Sequence, residues 1–208
     1  MRLYTYFRSS AAYRVRIALN LKGVRYDAVP VNLLKGEQAS DAYAGINPQC
    51  RVPALDTGEA VLVQSPAILE YLDETYPEPP LLPVGALARA QVRAVCALVA
   101  CDIHPLNNLG TLAYLKQRFG QDQAAVDAWY VHWVRQGFDA IEQMIAPEPF
   151  AFGPRPSLAD VYLVPQIFNA RRFNVPLESY PRIAAVDQAC ASLEAFQAAA
   201  PGRQADAA

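Results

Sequence analysis

Histidine is scarce in this chain of 208 residues, with His104 and His132 the only two, and its four cysteines are scattered. Cys50, Cys96, Cys101 and Cys190 form no CxxC pair and no metal-ligand spacing with either histidine. Neither a zinc site nor a redox dithiol is therefore expected, and reduced, largely buried thiols are. An excess of one charge is also missing. Lys and Arg number 18 against 20 Asp and Glu, for a formal net charge of -2 and a pI near 5.7. A chain so balanced has no basic surplus to neutralise a phosphate backbone, so no nucleic-acid partner is expected. No apolar run reaches the roughly 18 residues that would suggest a membrane span. The opening Met1-Arg2-Leu3-Tyr4-Thr5-Tyr6-Phe7-Arg8 lacks the apolar core and small-residue cleavage site of a signal peptide. A soluble, cytoplasmic protein with no membrane partner is the expectation.

Hydrophobic residues, by contrast, make up 53% of the chain and charged residues only 18%. That is the reverse of the disorder signature, and the length allows one compact unit or two small docked domains. Leu3 to Phe7 reads as an opening strand, ending at Arg8-Ser9-Ser10. Helical spacing follows from Tyr13 to Lys22, with Ser10 as N-cap and Gly23 just past the end. Tyr26 to Asn32 reads as a second strand, parallel to the first because a helix connects them. Lys35 to Asp41 is a short helix or loop. Ala54-Leu55-Asp56 and Ala60-Val61-Leu62-Val63 flank Thr57-Gly58-Glu59 as a hairpin. Ser65-Pro66 then opens a helix, serine as cap and proline at the first helical position, with Ile68, Leu69 and Leu72 on its buried face.

The Pro-rich run Tyr76-Pro77-Glu78-Pro79-Pro80-Leu81-Leu82-Pro83 cannot continue that helix and reads as an interdomain linker. Beyond it every long segment has helical period. Val92, Val95, Cys96, Val99 and Ile103 form one apolar stripe; Val126, Trp129, Tyr130, Trp133, Val134, Phe138, Ile141 and Ile145 a second; Ile183, Val186, Cys190 and Leu193 a third. Ser157-Leu158-Ala159-Asp160 has the spacing of a structural capping box. The last residues, Pro201 to Ala208, are small and polar and are expected to fray.

The serine turn is the most informative local feature, because residues between a strand and a helix N-terminus offer free backbone N–H groups and partial positive charge to an anion such as a thiolate. Ser9 and Ser10 add hydroxyl donors, or are ordinary caps. No GxSxG elbow surrounds them, which leaves a serine hydrolase unsupported. Val52-Pro53 precedes the hairpin, where a cis proline would leave the Val52 backbone facing a ligand. Gln64-Ser65 at a helix start serves as a cap or grips a carboxylate. His104, before Pro105, and Arg171-Arg172, on an apolar stretch, read singly as an interior polar residue and surface charges or as functional groups.

Several of these segments carry a family resemblance. Phe7-Arg8-Ser9-Ser10-Ala11-Ala12-Tyr13-Arg14-Val15-Arg16-Ile17-Ala18-Leu19, Asn47-Pro48, Val52-Pro53, Gln64-Ser65-Pro66-Ala67-Ile68 and the Ser157 to Asp160 box closely resemble zeta-class glutathione transferases. The similarity runs nearly end to end, through Asp102-Ile103-His104-Pro105-Leu106-Asn107-Asn108, Tyr180-Pro181 and Leu193-Glu194-Ala195-Phe196-Gln197. It implies a glutathione transferase fold in the α/β plus all-α class: a thioredoxin-like βαβαββα domain over residues 1–81 and a helical bundle domain over 82–208. It implies a homodimer that uses glutathione as a true cofactor. Ser9, with Ser10, Arg8 and the following turn, would serve the thiol and the chemistry. Gln38, Val52, Pro53, Gln64 and Ser65, with His104 and Asn108 from the helical domain, would hold the tripeptide. Arg8, His104 and Arg172 would face a small dicarboxylate substrate. No metal is implied.

The activity so implied is cis–trans isomerisation of maleylacetoacetate to fumarylacetoacetate in aromatic amino-acid catabolism: a thiolate adds to the activated double bond, rotation follows, and elimination regenerates glutathione. The alternatives are maleylpyruvate isomerisation in the gentisate pathway, a detoxifying transferase that consumes glutathione, and a non-catalytic glutathione-binding protein on the same fold. Three departures from the family stand out. Ala11 follows the serine pair where many zeta enzymes have cysteine, which excludes any mechanism needing that thiol. Leu109-Gly110 replaces arginines found in some maleylpyruvate isomerases. Phe152-Gly153-Pro154 lacks the aspartate that commonly follows the glycine.

Overall fold

A computed structural model of the chain describes residues 1–207. Its contacts divide into two compact units: Met1–Pro80 together with the segment from Ala191 onward, and Leu81–Cys190.

The first unit opens with β1 (Arg2–Thr5), α1 (Ser10–Leu21) and β2 (Asp27–Pro30). A 3-10 turn (Glu37–Ala39) and α2 (Asp41–Ala44) lead to β3 (Ala54–Asp56), β4 (Val61–Val63) and α3 (Ser65–Thr75). The strands form one sheet in the order β2-β1-β3-β4. β1 runs parallel to β2, with Thr5 opposite Pro30, and antiparallel to β3, with Tyr4 opposite Ala54; β3 pairs antiparallel with β4, with Ala54 opposite Val63. This is the expected βαβ followed by ββα, with α2 between them. Leu3, Val15, Ile17, Leu19, Leu55, Ile68, Leu69 and Leu72 have no solvent exposure, and each such side chain contributes about 2 kcal/mol of burial. Gly23 takes φ +65 just past α1, where a left-handed residue lets Val24 N–H reach Leu19 O at 2.9 Å.

Two caps fall one residue earlier than the sequence predicts. Ser9, not Ser10, caps α1: its backbone is extended (φ -68, ψ 114), its carbonyl accepts the Tyr13 N–H at 2.8 Å and its Oγ accepts the Ala12 N–H at 3.2 Å. Either serine has the chemistry to cap, and the first intrahelical bond selects Ser9. At α3 the cap is Gln64, whose carbonyl accepts the Ile68 N–H at 3.0 Å, so Ser65 is already helical.

The second unit holds α4 (Ala86–Ala97), a π-helical segment (Leu98–Ile103), α5 (His104–Asn107), α6 (Leu109–Phe119), α7 (Gln123–Met144), α8 (Leu158–Arg172) and α9 (Pro181–Ala191). Its core takes Val92, Val95 and Cys96 from α4, Val99 and Ile103 from the π segment, Val126, Tyr130, Val134, Phe138 and Ile141 from α7, and Ile183, Val186 and Cys190 from α9. The three apolar stripes of the sequence thus face largely inward, although Trp129 and Trp133 are only half-buried and Leu193, half-buried as well, lies beyond α9 and belongs to the first unit. α8 is buried nearly all round from Leu158 to Ile167. It begins at the Ser157 box, where Asp160 Oδ2 accepts the Ser157 N–H and hydroxyl, each at 2.7 Å, and Oδ1 accepts the Ala151 N–H at 2.8 Å. Burial pushes the Asp160 carboxyl upward in pKa, opposed by these donors.

Residues after Cys190 depart from expectation. α10 (Glu194–Ala199) and a 3-10 turn (Pro201–Arg203) pack in the first unit, where the sequence placed them with the helical half, and they do not fray. Asn20 Nδ2 donates to Ala195 O, Arg16 Nε to Ala199 O and Phe7 N–H to Asp206 Oδ2, each at 3.0 Å. Small polar composition suggested a loose end, but carbonyls and a carboxylate matched by donors near α1 hold it. Among the described residues no helix is long and apolar enough to cross a membrane.

Candidate active site

The register of the sheet gathers several predicted site residues at one end of the first unit. β1 ends at Thr5 opposite the end of β2 at Pro30; β3 starts at Ala54, beside Tyr4 on one flank and Val63, the last residue of β4, on the other. The segments leaving or entering that end are the turn to Ser9, the loop carrying Val52 and Pro53, and the start of α3 at Gln64 and Ser65. Gln38 lies in the connection that leaves β2 at the same end.

The turn after β1 is closed by Ser9 N–H on Tyr6 O at 2.9 Å. Ser9 is half-buried, and because its Oγ accepts from Ala12, its hydroxyl proton remains available as a donor to a ligand. The 12-residue α1 behind it presents first-turn N–H groups and the positive end of the helix dipole. Ser10 is buried, with 3% exposure, whereas Arg8 is exposed, its guanidinium 4.9 Å from the centre of the Phe7 ring. Phe7 itself packs on the cluster of Tyr6, Val31, Tyr43 and Val52 beneath the site.

The Val52 loop is held by Tyr43, which sequence reasoning missed, and by Asn47, which entered there only through the family resemblance. The Arg51 carbonyl accepts from Tyr43 OH at 2.8 Å and from Asn47 Nδ2 at 2.6 Å, while Asn47 Oδ1 accepts the Gln49 N–H at 3.0 Å. Burial pushes the Tyr43 phenol up to about 12, against the lowering effect of its bond to Asn47, so it stays a neutral donor. The Val52–Pro53 peptide is cis, and both residues are buried. Val52 precedes the ladder, which begins at Ala54.

Gln64 stands at φ 69, ψ 113, a left-handed conformation costly for a residue with a side chain. Its Nε2 donates to Gln49 Oε1 at 2.6 Å, tying the start of α3 to the Val52 loop, and Arg14 Nη1 reaches Ser65 Oγ at 3.4 Å from α1. Gln38 Oε1 is buried and meets no hydrogen-bond donor among the described residues, an acceptor that a ligand amide would satisfy.

In the second unit His104 is half-buried at the first position of α5, directly after the π segment. Asn108 caps α6: its Oδ1 accepts the Thr111 N–H at 3.0 Å and its Nδ2 donates to Pro105 O at 2.8 Å. Most of its hydrogen-bonding capacity is therefore used within its own turn. Arg172, at the end of α8, is exposed; its Nη1 donates to Asn169 Oδ1 at 3.3 Å and its guanidinium lies within 6.0 Å of the Phe168 and Phe173 rings. Phe173 stacks on Tyr130 at 3.6 Å between centroids, and burial pushes the Tyr130 phenol well up, partly offset by the Arg172 charge. Arg171 is instead paired with Asp187 at 2.6 Å, the surface role open to it in the sequence.

Comparison with known proteins extends the site to a family. The glutathione S-transferase N-terminal domain profile matches residues 1–74, and a C-terminal domain profile of the same family matches residues 123–186. Maleylacetoacetate isomerase of Pseudomonas aeruginosa is 53% identical over 99% of this chain and 98% of its own. A solved holo structure of maleylpyruvate isomerase, described as a bacterial zeta-class glutathione S-transferase, is 54% identical over all of both chains, with a TM-score of 0.97. A maleylacetoacetate isomerase of Anaeromyxobacter dehalogenans, solved with glutathione in its active site, is 43% identical over 100% of this chain and 97% of that one, with a TM-score of 0.90. With both domain profiles matched in order and identity above half over the full length, the chain belongs to the zeta class of the glutathione transferase family.

Proposed function

We propose that the protein is a glutathione-dependent cis–trans isomerase that converts maleylacetoacetate to fumarylacetoacetate in aromatic amino-acid catabolism, working as a cytoplasmic homodimer. The observation that carries this reading is the convergence of the Ser9 turn, the Val52 loop and the start of α3 at one end of the sheet. Those groups fit a γ-glutamyl tripeptide. The Val52 backbone suits an extended peptide, Gln64 and the helix N-terminus at Ser65 suit a carboxylate, and the buried Gln38 Oε1 calls for an amide donor. In this reading the first unit binds glutathione and, as the family resemblance implies, His104 and Asn108 serve the cofactor and His104 and Arg172 the substrate.

When bound, glutathione supplies a thiol whose reversible addition to the cis double bond permits rotation and release of the trans isomer. The chain's own task is electrostatic. The Ser9 hydroxyl and the N-terminus of α1 favour the ionised thiol, with Ser10 buried behind them. Arg8 and Arg172 are exposed cations suited to the two carboxylates and to the negative charge that builds on the substrate. No thiol of the chain takes part at position 11, which is Ala11.

The test is turnover of maleylacetoacetate, and separately of maleylpyruvate, with and without catalytic glutathione, following the change in diketo-acid absorbance and the thiol titre. Glutathione-dependent isomerisation at constant thiol titre, faster with maleylacetoacetate, is the expected result. The 54% identical maleylpyruvate isomerase favours a second reading, which a preference for maleylpyruvate would establish. Stoichiometric thiol loss to an electrophile without isomerisation would instead identify a detoxifying transferase.

A further inference from the structure

Arg16 has no solvent exposure, and its guanidinium is spent on the backbone that leads into Ser9. Nη1 donates to Thr5 Oγ1 at 3.0 Å and to Tyr6 O at 3.4 Å, Nη2 donates to Phe7 O at 3.1 Å, and Nε reaches across to Ala199 O at 3.0 Å. The opposite side of the Phe7 residue is held as well, its N–H donating to Asp206 Oδ2 at 3.0 Å from 199 positions along the chain. Burial pushes the Arg16 guanidinium down to about 10, opposed by Tyr26, Tyr13 and the Asp206 carboxylate, so it remains charged at neutral pH.

Apolar packing anchors this segment alongside those polar ties. Phe196, Ala199 and Pro201 are buried and supply apolar attachment, and Gln204 Nε2 fastens the turn to Ala198 O and Ala200 O at 2.9 Å. The Arg16 and Asp206 bonds also fall on Tyr6, whose carbonyl closes the Ser9 turn, and on Phe7, which lies within that turn. Held at both its N–H and its C=O, Phe7 has little freedom to rotate its peptide planes, and the bonds are charge-assisted, the stronger kind.

We propose that the segment from Ala199 to Asp206 is a strap that aims the Ser9 turn, with Arg16 and Asp206 as positioning residues acting through the Phe7 backbone. The inference rests on the reading of Ser9 as the thiol contact and adds a determinant of its precision that lies outside the glutathione-binding groups. Asp206 is not among the residues assigned to the ligand, and its half-exposed side chain makes its removal compatible with folding.

The test uses the full chain with Asp206→Ala and, as the conservative variant, Asp206→Asn, whose amide oxygen still accepts the Phe7 N–H. Three quantities are read: hydrogen exchange of the Phe7 and Ser9 amides without ligand, the glutathione Kd by calorimetry, and the pKa of the bound thiol from thiolate absorbance. For Asp206→Ala the exchange at both amides and the Kd each rise about tenfold, the loss of one charge-assisted bond. The thiol pKa also rises, the melting temperature falls by only about 2–4 °C, and Asp206→Asn recovers most of each effect. Unchanged Ser9 exchange, Kd and thiol pKa in Asp206→Ala would overturn the strap. A wild-type protein that binds no glutathione would defeat the functional reading instead, leaving the exchange data to decide the strap: faster Ser9 exchange sustains it and unchanged exchange overturns it.

Discussion

Gly137 on α7 stands so close to Ile103 that a Cβ at position 137 would clash with Ile103 Cδ1 and lie only 2.5 Å from its Cγ1. Ile103 is the last residue of the π segment and immediately precedes His104, so this contact seats the backbone that carries a proposed site residue. A methyl group here must displace a fully buried side chain. Gly137→Ala is expected to cost about 1–3 kcal/mol by overpacking. Ile103→Ala alone costs about 2–5 kcal/mol through the cavity it leaves. The double variant should lose clearly less than the sum of the two, since each change makes room for the other. Urea unfolding of the four proteins measures the coupling, and strict additivity would contradict the contact.

Ser9→Ala should separate the two tasks assigned to one hydroxyl. Loss of the Ala12 N–H acceptor costs about 1 kcal/mol of stability, while loss of the proposed donor to the thiol lowers isomerase turnover about a hundredfold or more at saturating glutathione. Ser9→Thr keeps both functions in large part. Turnover in Ser9→Ala equal to wild type would remove Ser9 from the chemistry while leaving its capping role intact.

What could be read from the sequence was local. Gly58 between two short apolar runs marks the β3–β4 hairpin, Gly23 marks the end of α1, and the Ser157–Asp160 spacing marks the start of α8, because in each case the residue's own chemistry fixes the backbone nearby. The serine turn and the Val52 and Gln64 segments were legible for the same reason. The partners that hold them were not. Tyr43 and Asn47 grip the Arg51 carbonyl, and Arg16 grips those of Tyr6 and Phe7; a backbone acceptor leaves no mark in a sequence, and Asp206 meets Phe7 across nearly the whole chain. The π segment was equally silent, since a helical stripe continues through it. The spacing from Asn108 to Thr111 is that of an ordinary N-cap, a local signal whose partner the structure supplies.

The Lys22 ammonium offers a test of the junction between α1 and the Pro-rich run. Its side chain has no exposure, and Nζ donates to Asp73 Oδ1 and Pro79 O, each at 2.7 Å. Lys22→Ala leaves the Asp73 carboxylate, 10% exposed, without this cation, and should cost about 3–5 kcal/mol in denaturant unfolding. Lys22→Met combined with Asp73→Asn removes both charges and should recover much of that loss. If Lys22→Ala unfolded at the wild-type midpoint, the ion pair would have no part in stability.

Cys190 and Cys101 should differ sharply toward thiol reagents, because α9 buries the first completely and the second is exposed. Burial, reinforced by the carboxylates of Asp160 and Asp187, pushes the Cys190 thiol far above its ordinary value. Iodoacetamide at mildly alkaline pH should modify Cys101 and spare Cys190 until the chain is unfolded, as peptide mass mapping would report. The same shift sets a pH dependence. The unfolded thiol ionises near 8.5 while the folded one stays protonated, so the stability this group contributes is fully present below that pH. As pH rises above it the unfolded state loses its proton first and is favoured, by up to about 1.4 kcal/mol per pH unit. Cys190→Ala abolishes that component, so its unfolding free energy should fall less steeply between neutral and strongly alkaline pH than that of wild type. Parallel profiles for the two proteins would mean that Cys190 ionises in the fold as readily as in the unfolded chain.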